Sequence, residues 1–474
     1  MKTPILGGEY ITRSTSAGAN RCINLFAEEV GEGGKEPGFL SRCPGMTKKV
    51  AVGTGPIRGS IKAGSNAYVV SGSKLYKVTP AYSVTEEGTV ATGSGIVSMA
   101  FNGTQIMIAC NPEAYIYNTA TDAFAQITDP DFPGASAVDH LDGYFVFSQP
   151  STQKFWVTAL LNGLAVDPLE FSSAEGSPDN LTTLRVSHRE VWLFGTDSIE
   201  VFYNAGNTDF PLSRIQGAFI EAGCAAANSV AKLDNSLFWL GSDARGTGII
   251  FRADGYTAKR ISNHAIESTI QGFSTVVDAI AYSYQQDGHY FYVISFPTAD
   301  RTFCYDVATG LWHERGDHSD GEFHQHRARC MFILNEQVHV GDRLNGFIYT
   351  FDLDNYTDNG KAQKWLRSWR ALPTGKNTLK RLIHHQLQID CEVGVGLNSG
   401  QGEEASVMLR WSDDGGKTFG NYHLGSFGRI GEFLYRPIWR RLGMSRDRVY
   451  ELSGSDPNKI IIMGAELKTT ETKS

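Results

Sequence analysis

Four histidines and one cysteine crowd into the segment LWHERGDHSDGEFHQHRARC, a set of side chains that could hold a metal ion. They are His313, His318, His324, His326 and Cys330. Imidazole and thiolate are the ligands that Zn²⁺ prefers, but these spacings match no closed zinc finger. The chain's seven cysteines form no CxxC pair, which predicts reduced, buried thiols. We therefore predict no metal site and interpret these histidines as polar loop residues.

The segment SDDGGKTF at 412–419 fits the pattern S-x-D-x-G-x-T-F, called an Asp box. Its pattern residues are Ser412, Asp414, Gly416, Thr418 and Phe419. The carboxylate can accept backbone N–H bonds across a tight turn, and glycine permits unusual backbone angles. The aromatic ring can pack beneath the hairpin. The motif therefore predicts a structural turn.

Asp boxes are familiar from sialidases and other carbohydrate-active propellers, so a glycosidase is one alternative function. Such an enzyme would also need an arginine cluster and a tyrosine nucleophile with its glutamate, and usually several boxes within the blades. This chain has one box, after the repeats. It also lacks GxxxxGK[ST], GxSxG and a strand-GxGxxG-helix unit. We predict no catalytic residue and no cofactor.

The segment 361–385 carries seven Lys and Arg residues and no acid. Arginine and tryptophan anchor interfaces, so we predict an inter-domain or subunit interface here and in the later WRRLG segment. Stacking on nucleic-acid bases and a plain solvated surface are the alternatives for 361–385. Salt bridges within the domain are the alternative for WRRLG. The candidate interface residues are Trp365, Arg367, Trp369, Arg370, Lys380, Arg381, Trp439, Arg440 and Arg441.

Seven strand-turn-strand patterns recur along the chain at a period of roughly 40–45 residues, as propeller blades do. They occupy 67–79, 105–118, 144–160, 190–204, 236–255, 289–310 and 337–354. The alternative is a many-stranded β-sandwich, but radial closure protects strand edges that an open sheet would expose. The pattern predicts an all-β fold with a β-propeller of six or seven blades.

The basic segment interrupts the repeats and predicts a domain boundary. We expect residues 51–360 to form the propeller and residues 361–474 a compact β-domain. Residues 1–50 contain short strands that we expect to pair with this C-terminal domain, so the two chain ends would build a β-rich platform. The best helix candidate is 262–273, with Ser262 as its N-cap.

Composition excludes several classes of protein. The chain has 474 residues, 41% of them hydrophobic, which suffices for a large core and excludes disorder as the main state. The net charge of −8 argues against a general polyanion binder. We find no apolar leader and no stretch long enough to span a bilayer. We therefore expect synthesis in a cytoplasm and no stable membrane association.

Several longer motifs resemble the tail hub proteins of short-tailed bacteriophages, also called packaged-DNA stabilisation proteins. The similar motifs are GPIRG (55–59), IEAGCAAANSVAKLDNSLFWLGSDARGTG (220–248), RISNHAIE (260–267), VGD (340–342), LRWSDDGGKTF (409–419) and GRIGEFLYRPIWRRLGMSRDRVYELSGSDP (428–457). The resemblance covers nearly the whole chain. The C-terminal motif is its most specific part, and residues 80–180 match least.

The resemblance implies a non-enzymatic virion protein of the tail, made in the cytoplasm of a bacterial host. It implies a homo-hexamer beneath the portal or a head-to-tail adaptor ring. This hub or nozzle would retain packaged double-stranded DNA, conduct it at ejection, and carry tail fibre, spike or needle proteins. An acidic average charge would ease DNA sliding, so we expect more acids than bases on the inner wall. A monomeric propeller that serves as a binding module is a further alternative.

Overall fold

The computed structural model describes residues 1–243, 246–376 and 380–472. Ala244 and Arg245, which belong to one motif of the family resemblance, lie outside the described residues. The rest of the repeat region forms seven sheets of four or more strands around an axis.

Blades one to four each contain four antiparallel strands in sequence order. Blade one consists of Ile57–Ala63, Asn66–Ser71, Lys74–Val78 and Val84–Thr89. Blade two consists of Ser98–Phe101, Gln105–Ala109, Ala114–Asn118 and Ala123–Gln126. Blade three consists of Ala137–Leu141, Tyr144–Ser148, Lys154–Val157 and Phe171–Ser173. Blade four consists of Leu181–Ser187, Glu190–Gly195, Ile199–Asn204 and Leu212–Ile220.

Blade five has an additional short strand, blade six continues into a larger sheet, and blade seven takes one strand from the N-terminal segment. In blade five the strands are Gly223–Cys224, Ala231–Leu233, Ser236–Asp243, Gly246–Asp254 and Thr257–Arg260, and a 3₁₀ turn lies at Ala227–Ser229. In blade six they are Ile280–Gln286, His289–Phe296, Arg301–Asp306 and Trp312–Glu314. Blade seven contains Ala328–Leu334, Gln337–Asp342 and Phe347–Asp352. Gly45–Ala51 from the N-terminal segment pairs antiparallel with the last of these strands and closes the ring.

The seven hairpins read from the sequence supply the middle strands of the seven sheets. Local chemistry explains several of their turns. Asp142-Gly143 and Asp287-Gly288 both have positive φ at each position, the geometry of the type I′ turn that matches strand twist and favours Asp-Gly. The predicted all-β propeller with a platform is confirmed.

A second unit, the platform, is a sandwich of two sheets. Its first sheet runs in the order Ile438–Arg440, Leu382–Cys391, Ile461–Glu471, Gly38–Arg42 and Leu25–Glu29, with Lys2–Thr3 and Met444–Ser445 as short additional strands. Its second sheet continues from blade six through Cys22–Ile23, Trp365–Arg370, Val449–Gly454, Glu404–Ser412 and His423–Arg429. Propeller and platform therefore share one continuous nine-stranded sheet.

Three short pairings complete the strand inventory. Tyr10–Ile11 pairs with Ala19–Asn20, Gly316–Ser319 with Glu322–Gln325, and Thr357–Asp358 with Lys361–Ala362.

Two details of the sequence interpretation are corrected. Residues 45–51 complete a propeller blade, so only the chain before them belongs to the platform. The helix spans His264–Gln271, and Asn263 caps it by accepting a hydrogen bond from the Ile266 backbone N–H. Ser262 does not cap the helix because its hydroxyl donates to Glu267 Oε1 at 2.6 Å and accepts from Ile250 N.

The platform core contains residues that the sequence had assigned to an interface. Trp365 and Trp369 are at most 1% exposed and pack with Leu25, Leu387 and Tyr450. These tryptophans are therefore inaccessible to another subunit. The seam they form lies inside the chain, between its two ends.

Arg367 lies in the same strand and is fully buried. Its Nε donates to the Ile5 carbonyl oxygen at 2.7 Å, Nη1 donates to that of Gly8 at 3.0 Å, and Nη2 to that of Leu6 at 3.3 Å. Nη1 also reaches the Arg21 carbonyl oxygen at 3.5 Å, so one guanidinium donates to four carbonyls of the N-terminal segment. Arg367 thus lies at an interface between the two ends of one chain, which is the inter-domain alternative of the prediction, and its burial leaves nothing for another subunit to contact.

Replacing Arg367 by Met should destabilise the platform because the apolar stem is retained while several buried carbonyl groups lose their donors. We expect a loss of about 3 kcal/mol or more in the free energy of unfolding, measured by denaturant titration. Exposed Arg381→Met is the matched control and should change it by less than about 0.5 kcal/mol. Equal stability of the two variants would contradict the role given to Arg367.

Candidate assembly surfaces on the platform

Burial divides the predicted interface residues into two groups. Trp365, Arg367, Trp369 and Trp439 lie in the interior, and Arg370 is half-buried against Asp447 and the Thr15 carbonyl. The exposed group consists of Lys380, Arg381, Arg440 and Arg441. The structure therefore leaves only the second group free to meet another molecule.

The largest exposed apolar side chains of the platform gather at one end of the sandwich. The segment 430–436 links the edge strand of the second sheet to the edge strand of the first. Its Phe433 is 74% exposed and its Leu434 89%. Ile430 and Leu424 are also exposed. Contiguous apolar groups left in water are uncommon on soluble monomers and mark interaction sites.

This exposure is not the result of an unstructured loop. The Arg429 backbone N–H donates to Glu432 Oε2 at 2.8 Å, and the Gly431 N–H donates to the Gly394 carbonyl oxygen. Tyr435 N donates to the Glu432 carbonyl. The turn is held by its own hydrogen bonds while its apolar side chains point outward.

Arginines surround this apolar turn. Arg436, Arg440 and Arg441 are exposed, and none of them has a carboxylate partner within the described part of the chain. Arg429 approaches Glu404 only at 3.9 Å. We call residues 430–441 the basic end of the platform.

The opposite edge of the first platform sheet is negatively charged. Strand Leu25–Glu29 is the last in that sheet, and Glu29 and Glu32 are exposed without an ion pair to any described residue. Burial, followed by the nearby carboxylates Asp306 and Asp287, raises the pKa of Glu28 against the opposing effect of His289. We call 28–32 the acidic edge.

The sequence indicated Arg440 and Arg441 of the basic end but neither the apolar turn beside them nor the acidic edge. The residues EFLY at 432–435 are mostly apolar and would suit a buried strand. Their side chains are exposed because the chain forms a turn here. The signal available was the pair of glycines, Gly428 and Gly431, both at positive φ, which indicate a turn rather than a strand.

The Asp box forms the turn that its pattern predicts. Asp414 Oδ1 accepts from the backbone N–H groups of Lys417 at 2.9 Å and Thr418 at 3.0 Å, and from the Ser412 hydroxyl at 2.5 Å. Its Oδ2 accepts from the Thr418 hydroxyl. The Ser412 and Thr418 bonds hold the pKa of Asp414 well below its usual range. Both carboxylate oxygens are thus occupied by the turn itself.

The aromatic residue of the box completes a cation–π stack. The Arg410 guanidinium carbon lies 4.8 Å from the Phe419 ring centroid and 4.7 Å from that of Tyr422. Arg410 also pairs with buried Glu451 at 2.6 Å. The box therefore anchors a hairpin of the platform.

The histidine-rich segment is spread over separate environments. His313 and His326 are buried, and burial, with Arg315 nearby, lowers the pKa of both. His324 hydrogen-bonds Asp300 at 2.6 Å, and His318 lies 3.3 Å from Lys364 Nζ. Among described residues no group of three or more metal-ligating side chains converges.

Comparison with protein-family models identifies the family to which the chain belongs. A family model described as bacteriophage P22 Gp10, beta-propeller, matches residues 1–356, and one described as bacteriophage P22 Gp10, beta-sandwich, matches residues 364–470. The fold and the match define a structural protein of a short phage tail. The chain belongs to the bacteriophage P22 Gp10 family, and this confirms the predicted resemblance.

Solved structures resemble the chain only distantly. A streptogramin B lyase is 10% identical, with a TM-score of 0.41 over 65% of this chain and 96% of that chain. The N-terminal domain of Nup159 is 10% identical, with a TM-score of 0.41 over 69% of this chain and 98% of that chain. These values carry no functional argument. A search of curated proteins found no significant match.

Within the part of the chain that the structure describes, no helix has the length and apolar character that crossing a bilayer requires.

Asp414→Ala should lower the melting temperature at neutral pH by roughly 1–3 °C because the turn loses its central acceptor. A depressed folded-state pKa stabilises the fold above the ordinary value of 3.8. The difference from wild type should therefore shrink as the pH falls below that value and vanish below the folded-state pKa. Differential scanning calorimetry across pH measures it.

Lys417→Ala, in the same turn, is the control, since it keeps the backbone N–H that Asp414 binds. Two outcomes would refute the structural role of the Asp box: unchanged melting of Asp414→Ala, or turnover of a sialoside or polysaccharide by wild type that this variant loses.

Proposed function

We propose that this protein is the homo-hexameric hub, or nozzle, of a short phage tail. In this proposal a ring of six copies sits below the portal or its adaptor ring, closes the channel, retains packaged DNA and conducts it at ejection. Tail fibre, spike or needle proteins dock on the same ring. The observation that carries the proposal is the family match over almost the whole chain.

Surface chemistry supports a ring. The basic end and the acidic edge lie at opposite ends of one sandwich, so two copies can bring them together only by a head-to-tail contact. Contacts of this kind close into rings when the rotation between subunits permits. The apolar turn at Phe433 and Leu434 would supply the buried centre of that contact, and opposite charges its orientation.

The rigid connection between propeller and platform suits such a ring. Blade six continues into the second platform sheet through Cys22–Ile23, and buried Glu314 on the blade binds Arg21 of the N-terminal segment at 3.0 Å. Six propellers would therefore keep a fixed orientation around the channel. A net charge of −8 per chain keeps general phosphate attraction low, as a conduit for DNA requires.

The Asp box gives no support to the glycosidase alternative, since its carboxylate is saturated by its own turn. The exposed apolar turn also disfavours a propeller that works alone as a monomer, because that patch would remain in water.

Two charge-reversed variants test the head-to-tail ring. Arg436→Glu with Arg440→Glu and Arg441→Glu makes both platform ends acidic, whereas Glu29→Lys with Glu32→Lys makes both basic. Each variant alone should lose ring formation in low salt because like charges meet at every junction. An equimolar mixture should restore rings in which the two variants alternate, and alternation closes only around an even number of subunits.

Native mass spectrometry and negative-stain electron microscopy measure the outcome under conditions in which wild type forms rings. Lys259→Glu, on an exposed outer strand of blade five, is the control and should assemble as wild type does. Circular dichroism confirms folding of each variant. Normal rings from either variant alone, or folded variants whose mixture stays monomeric, would reject the head-to-tail contact.

A further inference from the structure

A cavity of about 400 Å³ lies on the propeller axis and is lined by the inner strands of all seven blades. Neighbouring blades contact one another at their inner edges around the full ring, for example Ala328–Leu334 with Ile57–Ala63, and Leu181–Ser187 with the 3₁₀ turn of blade five. This volume falls within the range of about 300–1,000 Å³ typical of small-molecule sites. It is too small to admit a DNA duplex.

The lining of this cavity is strongly cationic. Arg58, Arg185, Lys232 and Arg329 contribute positive charge, and Asp139 is the acid among the lining residues. Lys232 already approaches the Asp139 carboxylate at 3.3 Å. This acid also accepts the Val186 backbone N–H at 2.8 Å. Three guanidinium groups therefore remain without a counter-charge on the lining.

The three arginines differ in how they are held. Arg58 is buried and donates only to neutral carbonyl oxygens, those of Gly95 at 2.8 Å, Gly72 at 2.9 Å and Ala91 at 2.7 Å. Arg185 and Arg329 have neither a hydrogen bond nor an ion pair with any described residue through their side chains. Arg58 is thus fixed, whereas the other two keep all their donors available.

The crowding of like charges has an energetic cost. Burial, together with the nearby cations Arg58 and Arg343, lowers the pKa of Arg329. Uncompensated, partly buried charges destabilise a fold unless a partner satisfies them. An anion in the cavity would remove this penalty.

We propose that the axial cavity of the propeller binds a small multivalent phosphate-type anion, held by Arg185 and Arg329 and stabilised by the field of Arg58. A guanidinium offers paired donors that match two oxygens of a phosphate. The bound anion neutralises the excess positive charge and ties together inner strands of blades four and seven. This site depends on the propeller alone and is independent of ring assembly.

Inorganic pyrophosphate is the probe, titrated into the monomeric or assembled wild-type chain by isothermal titration calorimetry. Ionic strength is kept constant with sodium chloride so that general screening is the same throughout. We expect saturable binding of one anion per chain. Arg185→Gln with Arg329→Gln should weaken binding at least tenfold. Arg189→Gln, an exposed arginine on a nearby turn of blade four, should leave it unchanged.

A thermal melt gives an independent readout. Without pyrophosphate, Arg329→Gln should melt at a higher temperature than wild type because the repulsion is relieved. Added pyrophosphate should raise the wild-type melting temperature and leave that of the double variant unchanged. Arg329→Lys, which keeps the charge but loses the paired donors, should bind with intermediate affinity.

Three results would overturn the site. The first is that wild type shows no saturable binding up to about 10 mM pyrophosphate. The second is that wild type and the folded double variant bind with equal affinity. The third is that Arg189→Gln loses as much affinity as the double variant does.

Discussion

The interactions on which the architecture depends are the buried guanidinium–carbonyl bonds that tie the chain's two ends together. Arg367 binds carbonyls at the start of the chain. Arg42, in the N-terminal segment, binds carbonyls near the other end of the chain. It donates to the carbonyl oxygens of Asp456 at 2.7 Å and Asn458 at 3.0 Å. Its Nη2 also reaches the carbonyls of Tyr356 and Gln363. These two side chains connect segments that are hundreds of residues apart.

Ring closure of the propeller follows from this connection. The N-terminal segment is fixed in the platform up to Arg42, and the next strand, Gly45–Ala51, pairs with blade seven. The same segment supplies Cys22–Ile23, which joins blade six to the platform sheet. One stretch of about fifty residues therefore closes the propeller and attaches it to the platform, so that surfaces on both units keep a fixed relation.

The sequence predicted the propeller because its signals are local. Alternating strands recur in each blade, Asp-Gly turns mark blades three and six, and the Asp box needs only residues 412–419 to form its bonds. The sequence left open whether the interface at Trp365, Arg367 and Trp369 joins parts of one chain or two subunits, and the choice depends on a distant segment. Both faces of WLRSWR are buried or half-buried, and the arginine among its tryptophans is accommodated because carbonyls of a distant segment accept its bonds. No pattern within the strand shows those acceptors.

The difference between local and non-local signals also explains why the sequence indicated the exposed arginines of the basic end but not the apolar turn beside them. Arg440 and Arg441 belong to a conspicuous basic motif, but their proximity to the apolar turn at 430–436 depends on the path of the chain between two sheets. The acidic edge at 28–32 was visible only as composition, and its place opposite the basic end required the sheet order. Likewise, the cationic axial cavity is lined by single residues from different blades, so no local sequence motif could predict it.

The head-to-tail ring can be tested directly by a cryo-electron microscopy map of the assembled tail at a resolution that separates side chains. We expect six copies around the channel, with residues 430–441 of each platform packed against residues 28–32 of the next copy. A map in which the apolar turn faces solvent, or in which neighbouring copies meet only through their propeller blades, would contradict it.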